Sequence, residues 1–106
     1  MTLLKIYITY RDYREVDNMS EVDKQVAEAM EILTHIAEDS SVPRNIRKAA
    51  TKSIEILQDE TMDLNVRAIN AIDLLDESTA DPNCPYHART MLWQAITRLE
   101  LPPQAD

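Results

Sequence analysis

The chain has 106 residues, no glycine, one cysteine, and 19 acidic against 11 basic side chains, a formal net charge of −8. That length is one domain at roughly 100–200 residues per domain, and 44% hydrophobic with 28% charged residues is a globular composition. Without glycine there is no P-loop, dinucleotide fingerprint or nucleophile elbow, because only glycine enters φ > 0 at no steric cost, and the acidic balance repels phosphate backbones and anionic membranes from the molecule as a whole.

The lone Cys84 has no intramolecular disulfide partner, which fits a reducing compartment. No stretch reaches the ~18–20 apolar residues of a membrane span, and Met1–Lys5 lacks a signal peptide's apolar stretch and small-residue cleavage site. The expected location is cytoplasmic.

Residues 1–18 stand apart. Leu4, Ile6, Ile8 and Tyr10 alternate with Lys5, Tyr7, Thr9 and Arg11, the period of a short strand. No second strand is evident to pair with it. Either the segment pairs with another copy, becomes helical or lies across the rest, or it is an upstream extension of a chain that naturally starts at Met19-Ser20-Glu21. We set residues 1–18 aside as a strand-like or irregular N-terminal extension and residues 19–106 as the folded domain.

From Ser20 the period becomes helical. Ser20 followed by Asp23 resembles a capping box. Val22, Val26, Ala29, Met30, Leu33, Ile36 and Ala37 fall on one stripe at ~100° per residue. The helix ends near Asp39, before Ser40-Ser41-Val42-Pro43. A second helix starts around Pro43, with Ile46, Ala49, Ala50, Ser53, Ile54 and Leu57 as its buried stripe. After Asp59-Glu60-Thr61, a third helix carries Leu64, Ala68, Ala71, Ile72 and Leu75. Val66, Ile69 and Leu74 flank that stripe, so the third helix is expected to be the most enclosed. A loop over 78–83 follows, and Asn83 can cap a fourth helix with Cys84, Ala88, Met91, Leu92, Ala95, Ile96 and Leu99 on its stripe. Leu101-Pro102-Pro103 stops it. Four amphipathic helices joined by short loops predict an all-α, antiparallel four-helix bundle.

A helical repeat is the competing architecture. Asn45-Ile46-Arg47, Asn65-Val66-Arg67 and His87-Ala88-Arg89 recur 20 and 22 residues apart. Arg47 and Arg67, however, sit on opposite edges of their own stripes, and the spacing is half the ~40-residue HEAT period. The repeat reading is therefore rejected.

The stretches EILTHIAEDSSVPRNIRKAA (31–50), VRAINAIDLLDE (66–77) and DPNCPYHARTMLWQAITRLE (81–100) resemble a small archaeal family without assigned function, uncharacterised protein family 0147. The resemblance spans residues 19–100 and implies a compact four-helix bundle. It implies no catalytic residue, cofactor or substrate.

Three constellations fail on chemistry. Cys84 and His87 have ligand spacing, but a structural zinc needs four ligands, and the other histidine, His35, lies on a polar helix face. Asp59-x-Thr61-x-Asp63-x-Asn65 mimics the start of a calcium loop but has Leu64 where glycine and Asn70 where the bidentate glutamate belong; these residues read as helix caps. Glu31 and His35, one turn apart with Glu28 and Glu38 nearby, fall on a convex polar face, where nothing would tune them for proton transfer. Neither histidine has an evident serine or cysteine partner oriented by a third group. No catalytic, metal or cofactor residue is assigned.

Two surfaces survive. Arg44, Arg47, Lys48 and Lys52 crowd the first half of the second helix, with Arg44, Lys48 and Lys52 four apart on one face. Cations there oppose the macrodipole by ~0.3–1 kcal/mol each. They are expected either to pair with acids such as Glu38 and Asp39 or to bind an anion such as RNA phosphate. Tyr86 and Trp93, seven apart, point away from the centre of the fourth helix's stripe. Aromatic residues of these types are enriched in interface hot spots. The expected function is a non-catalytic protein-interaction or assembly module, self-associating through the fourth helix or the N-terminal segment; the alternative is an RNA-associated accessory factor using the basic face.

Overall fold

The structure, a computed structural model, describes residues 20–102; the strand-like N-terminal segment 1–18 lies outside the described residues. Four helices follow in chain order: α1 Glu21–Ala37, α2 Arg44–Leu57, α3 Leu64–Thr79 and α4 Tyr86–Leu99. Among the described residues there is no strand. The all-α bundle read from the hydrophobic period is what the chain forms.

Each helix forms for a legible reason. At the start of α1, the Ser20 hydroxyl accepts from the Asp23 backbone N–H at 3.1 Å, satisfying one of the four donors a helix start leaves unpaired. Along α1 the stripe residues Val26, Ala29, Met30, Leu33 and Ile36 are buried. The same holds for Ile46, Ala50, Ser53 and Leu57 on α2, for Ala68, Ala71 and Leu75 on α3, and for Ala88, Leu92, Ala95, Ile96 and Leu99 on α4. The apolar side chains among these join in one core, completed by Val42 and Cys84 from the loops. α1 packs on α2 and α4, and α3 packs on the same two neighbours, so the helices close into a ring.

The third helix differs from expectation. It presents Val66 at 44% and Ile69 at 58% exposure, so it is not the most enclosed. The cause is geometric: its stripe of Ala68, Ala71 and Leu75 serves both neighbours in the ring, and the flank has no third helix to meet.

The three connections, residues 38–43, 58–63 and 80–85, are equally long and built alike. Asp39, Asp59 and Asp81 each receive the backbone N–H two residues on, from Ser41 at 2.9 Å, Thr61 at 3.1 Å and Asn83 at 2.8 Å. The next residues, Val42, Met62 and Cys84, return their N–H groups to the carbonyls of those aspartates. These are Asx turns, which make a bend without glycine. Pro43, Asp63 and Pro85 then stand as N-caps in extended conformation. Two helix starts expected from the sequence shift accordingly: Pro43 precedes α2 rather than opening it, and Pro85, not Asn83, caps α4. Cys84 lies in the loop.

Arg47, Arg67 and Arg89 occupy the same place in the first turns of the helices that follow, and each folds back on its own loop. Arg47 Nε donates to the Val42 carbonyl at 2.9 Å. Arg67 donates from Nε to Met62 at 2.9 Å and from a terminal nitrogen to Leu57 at 2.8 Å. Arg89 donates to Thr79 at 3.0 Å and to Asp81 at 3.2 Å. The repeat rejected as a stacking unit is therefore real as a loop-and-clamp unit. Position relative to a hydrophobic stripe does not fix where a long guanidinium arm ends.

Candidate functional site

The first and third connections meet at one end of the bundle. That meeting requires consecutive helices to alternate in direction, as in an antiparallel bundle. Asn45 of α2 donates to Asp81 Oδ2 at 2.8 Å, and His87 Nε2 lies 3.0 Å from Asp39 Oδ2. The exchange is reciprocal: each residue six places beyond its own loop aspartate reaches the aspartate of the other loop. Asp39 is held down at about 2 by the Ser41 hydroxyl first, then by the Ser41 N–H and His87. Asp81 is lowered by the Asn83 N–H and then by Asn45, and Asp59 by the hydroxyl and N–H of Thr61.

Asp39, Ser41 and His87 thus form a serine–histidine–carboxylate group that the sequence did not disclose. Its wiring is not that of a nucleophilic relay. In a relay the carboxylate holds Nδ1 while the serine faces Nε2. Here Asp39 and Ser41 both approach Nε2, at 3.0 and 3.5 Å, and the Ser41 hydroxyl donates to Asp39 at 2.6 Å. The Ser41 hydroxyl is directed at the Asp39 carboxylate rather than at the imidazole, so the group acts as a loop-to-loop clamp. The signal for it lies in matching loop positions across 48 residues, which neither periodicity nor spacing reveals.

The metal-like patterns resolve into local structure. Among the described residues no group of histidine, cysteine and carboxylates is placed to hold a metal ion. Cys84 is buried, and burial pushes its thiol up. Asp59 forms its Asx turn, and His35 is exposed on α1.

Of the four basic residues, Arg47 is taken up by the Val42 carbonyl. Arg44, Lys48 and Lys52 are exposed, and none pairs with an acid among the described residues. Lys48 and Lys52 line an open groove of about 520 Å³ between α2 and α3, together with Asn45, Ala49, Thr51, Glu55 and Leu74. The expected pairing with Glu38 or Asp39 is absent from the described residues; Asp39 is paired to His87 instead. Tyr86 and Trp93 are exposed on α4, at 79% and 52%. Arg98, five residues beyond Trp93, bonds Glu28 of α1 at 3.2 Å and ties α4 to α1. Sequence reasoning did not single out Val66 and Ile69 as a surface. Their position beside the third helix's stripe was visible, but their exposure follows only from the ring.

Among the described residues no helix is long and apolar enough to cross a membrane. Residues 13–101 match the model of an uncharacterised protein family, UPF0147, so the match begins inside the segment 1–18 that the alternating period sets apart. A UPF0147 protein of Methanothermobacter thermautotrophicus is 56% identical over 70 residues, covering 66% of this chain and 69% of that protein. One from Thermococcus kodakarensis is 44% identical over 82 residues, 77% of this chain and 96% of the relative. The crystal structure of a protein of the same family from Thermoplasma acidophilum superposes with a TM-score of 0.72 at 38% identity, covering 76% of this chain and 96% of that one.

Proposed function

We propose, for a chain that belongs to the uncharacterised protein family UPF0147, that it is a non-catalytic protein-interaction or assembly module whose partner seats on the outward face of α4. The observation carrying this reading is the exposure of Tyr86 and the single tryptophan, Trp93, two turns apart on one helix. Large aromatic side chains bring much apolar area at little entropic cost and dominate interface energetics. The buried stripe of α4 supplies the core and leaves these two rings unused by it. The test compares proteins co-purifying with wild type and with a Tyr86→Ala/Trp93→Ala variant from native cells. A partner retained by wild type and lost by the variant supports the reading; an identical set on both eliminates it.

A second reading rests on a different observation. Arg44, Lys48 and Lys52 carry no ion pair with the described residues, and two of them border a groove. An RNA-associated role would use that face, against an overall charge of −8 and Glu55 in the groove itself. It requires salt-dependent RNA binding that disappears on Lys48→Glu/Lys52→Glu.

A further inference from the structure

Within one chain, the first and third loop units complete each other. Asn45 reaches Asp81, His87 reaches Asp39, and the residue that follows each donor, Ile46 or Ala88, is wholly buried. The second unit has the same parts. Asp59 forms the same turn, Asn65 stands where Asn45 and His87 stand, and Val66 stands where Ile46 and Ala88 stand. Yet among the described residues it faces no counterpart. The Asn65 side chain bonds no described residue, both side-chain contacts to Asp59 among the described residues fall on Oδ1 rather than Oδ2, and Val66 and Ile69 are exposed.

We propose that the second unit is completed by the second unit of another copy of this chain. Across a two-fold axis Asn65 of each copy would donate to Asp59 of the other, and Val66 with Ile69 would pack beneath the pair. A two-fold interface must be self-complementary, and this surface is: donor and acceptor lie on one patch, at the spacing that already pairs reciprocally inside the chain. The occupant is argued from that internal example, independently of the α4 face. One loop and two aliphatic side chains per copy form a small interface, so the dimer is weak and its population depends on concentration.

Sedimentation velocity from low micromolar to near-millimolar protein tests this. Wild type should pass from monomer to dimer. Asn65→Asp sets Asp59 against a like charge and should weaken the dimer at least about tenfold, as should Ile69→Lys, which charges the apolar patch. Adding Asp59→Asn to Asn65→Asp exchanges donor and acceptor and should restore wild-type association. Trp93→Ala should leave the dimer unchanged, which separates this surface from α4. Circular dichroism checks that each variant is folded; Ile69→Lys, on an exposed position, backs the loop variants. The proposal is overturned by a wild type monomeric throughout, by failure of the exchanged pair to restore association, or by dissociation with Trp93→Ala alone. It is also overturned if wild type dimerises only after residues 1–18 are removed, which would assign the face to the chain's own N-terminal segment.

Discussion

Arg67 closes its loop more completely than Arg47, and the difference should be measurable. Arg67 ties two carbonyls, Met62 within the loop and Leu57 at the end of α2, whereas Arg47 ties only Val42. A hydrogen bond from a charged donor contributes roughly 1.5–3 kcal/mol net. Both arginines are half-buried, so the lower end applies. Arg67→Met should then cost about 2–3 kcal/mol and Arg47→Met about 1–1.5 kcal/mol. At about 4–8 °C per kcal/mol for a domain of this size, melting should fall by about 8–24 °C for Arg67→Met and about 4–12 °C for Arg47→Met. Methionine keeps much of the aliphatic stem, so the loss reports the guanidinium rather than packing. Arg67→Lys retains the charge but not the fork and should fall between wild type and Arg67→Met. Urea unfolding followed by far-ultraviolet circular dichroism, at low protein concentration, should show lower midpoints at an unchanged slope. An Arg67→Met protein within about 0.5 kcal/mol of wild type, or an Arg47→Met loss equal to it, would refute the clamp.

Asp39 titrates near 2 in the folded chain against an ordinary 3.8. Its contribution is therefore fully present above pH 4 and is lost as pH falls from about 4 to 2; Asp39→Asn should flatten the stability profile in that window, and an NMR midpoint near 3.8 would contradict the assignment. Leu33, wholly buried in α1, should cost about 2–5 kcal/mol when truncated to alanine, while Trp93→Ala should shift thermal stability by no more than about 0.5 kcal/mol. Cys84 should react with a thiol reagent at neutral pH far more slowly in the native protein than in urea, because burial both raises its pKa and blocks access; equal rates would mean an open loop. Glu38 ends α1 at φ −98° and ψ 0°, so Glu38→Gly should cost about 0.5–1 kcal/mol relative to Glu38→Ala through chain entropy. A gain on unfolding curves would mean that this helix end uses the left-handed region.

The hydrophobic period disclosed most of the fold because a helix in a ring buries one continuous stripe. Ala29, Met30, Leu33, Ala50, Ala71 and Leu92, all fully buried, are legible by spacing alone. What periodicity cannot convey is which flank of a stripe the neighbouring helices cover. Val66 and Ile69 look like core by residue type but lie on a flank of α3 that neither of its two neighbours covers. Tyr86 and Trp93 were legible as outward because their angle from the stripe is large. The basic cluster was legible as charge but not as geometry: four cations share a segment, and one of them, Arg47, bends back to a carbonyl behind it. The Asp39–His87 contact had no local signal, since its partners lie 48 residues apart and each looks like an ordinary loop or helix-start residue.

The three arginine clamps and the missing glycine have one physical explanation. A helix end exposes up to four carbonyls without partners, and a frequent remedy is a glycine in the left-handed conformation that turns backbone N–H groups onto them. This chain has no glycine, and among the described residues none takes a positive φ. The residues that end α1, α2 and α3 keep negative φ, and their own N–H groups reach back to carbonyls of the last turn, so the final carbonyl needs a partner from beyond the helix end. The Asx turn reverses the chain, and the arginine four residues into the next helix reaches back across it. For α2 and α3 it bonds the final carbonyl itself, Leu57 or Thr79. A turn closed by side chains depends on the residue at each position, not on backbone freedom. The same aspartate, the same hydrogen-bonding position and the same arginine therefore recur, and the reciprocal pairing of loops follows from that recurrence. The repeat in this sequence belongs to its corners rather than to its helices.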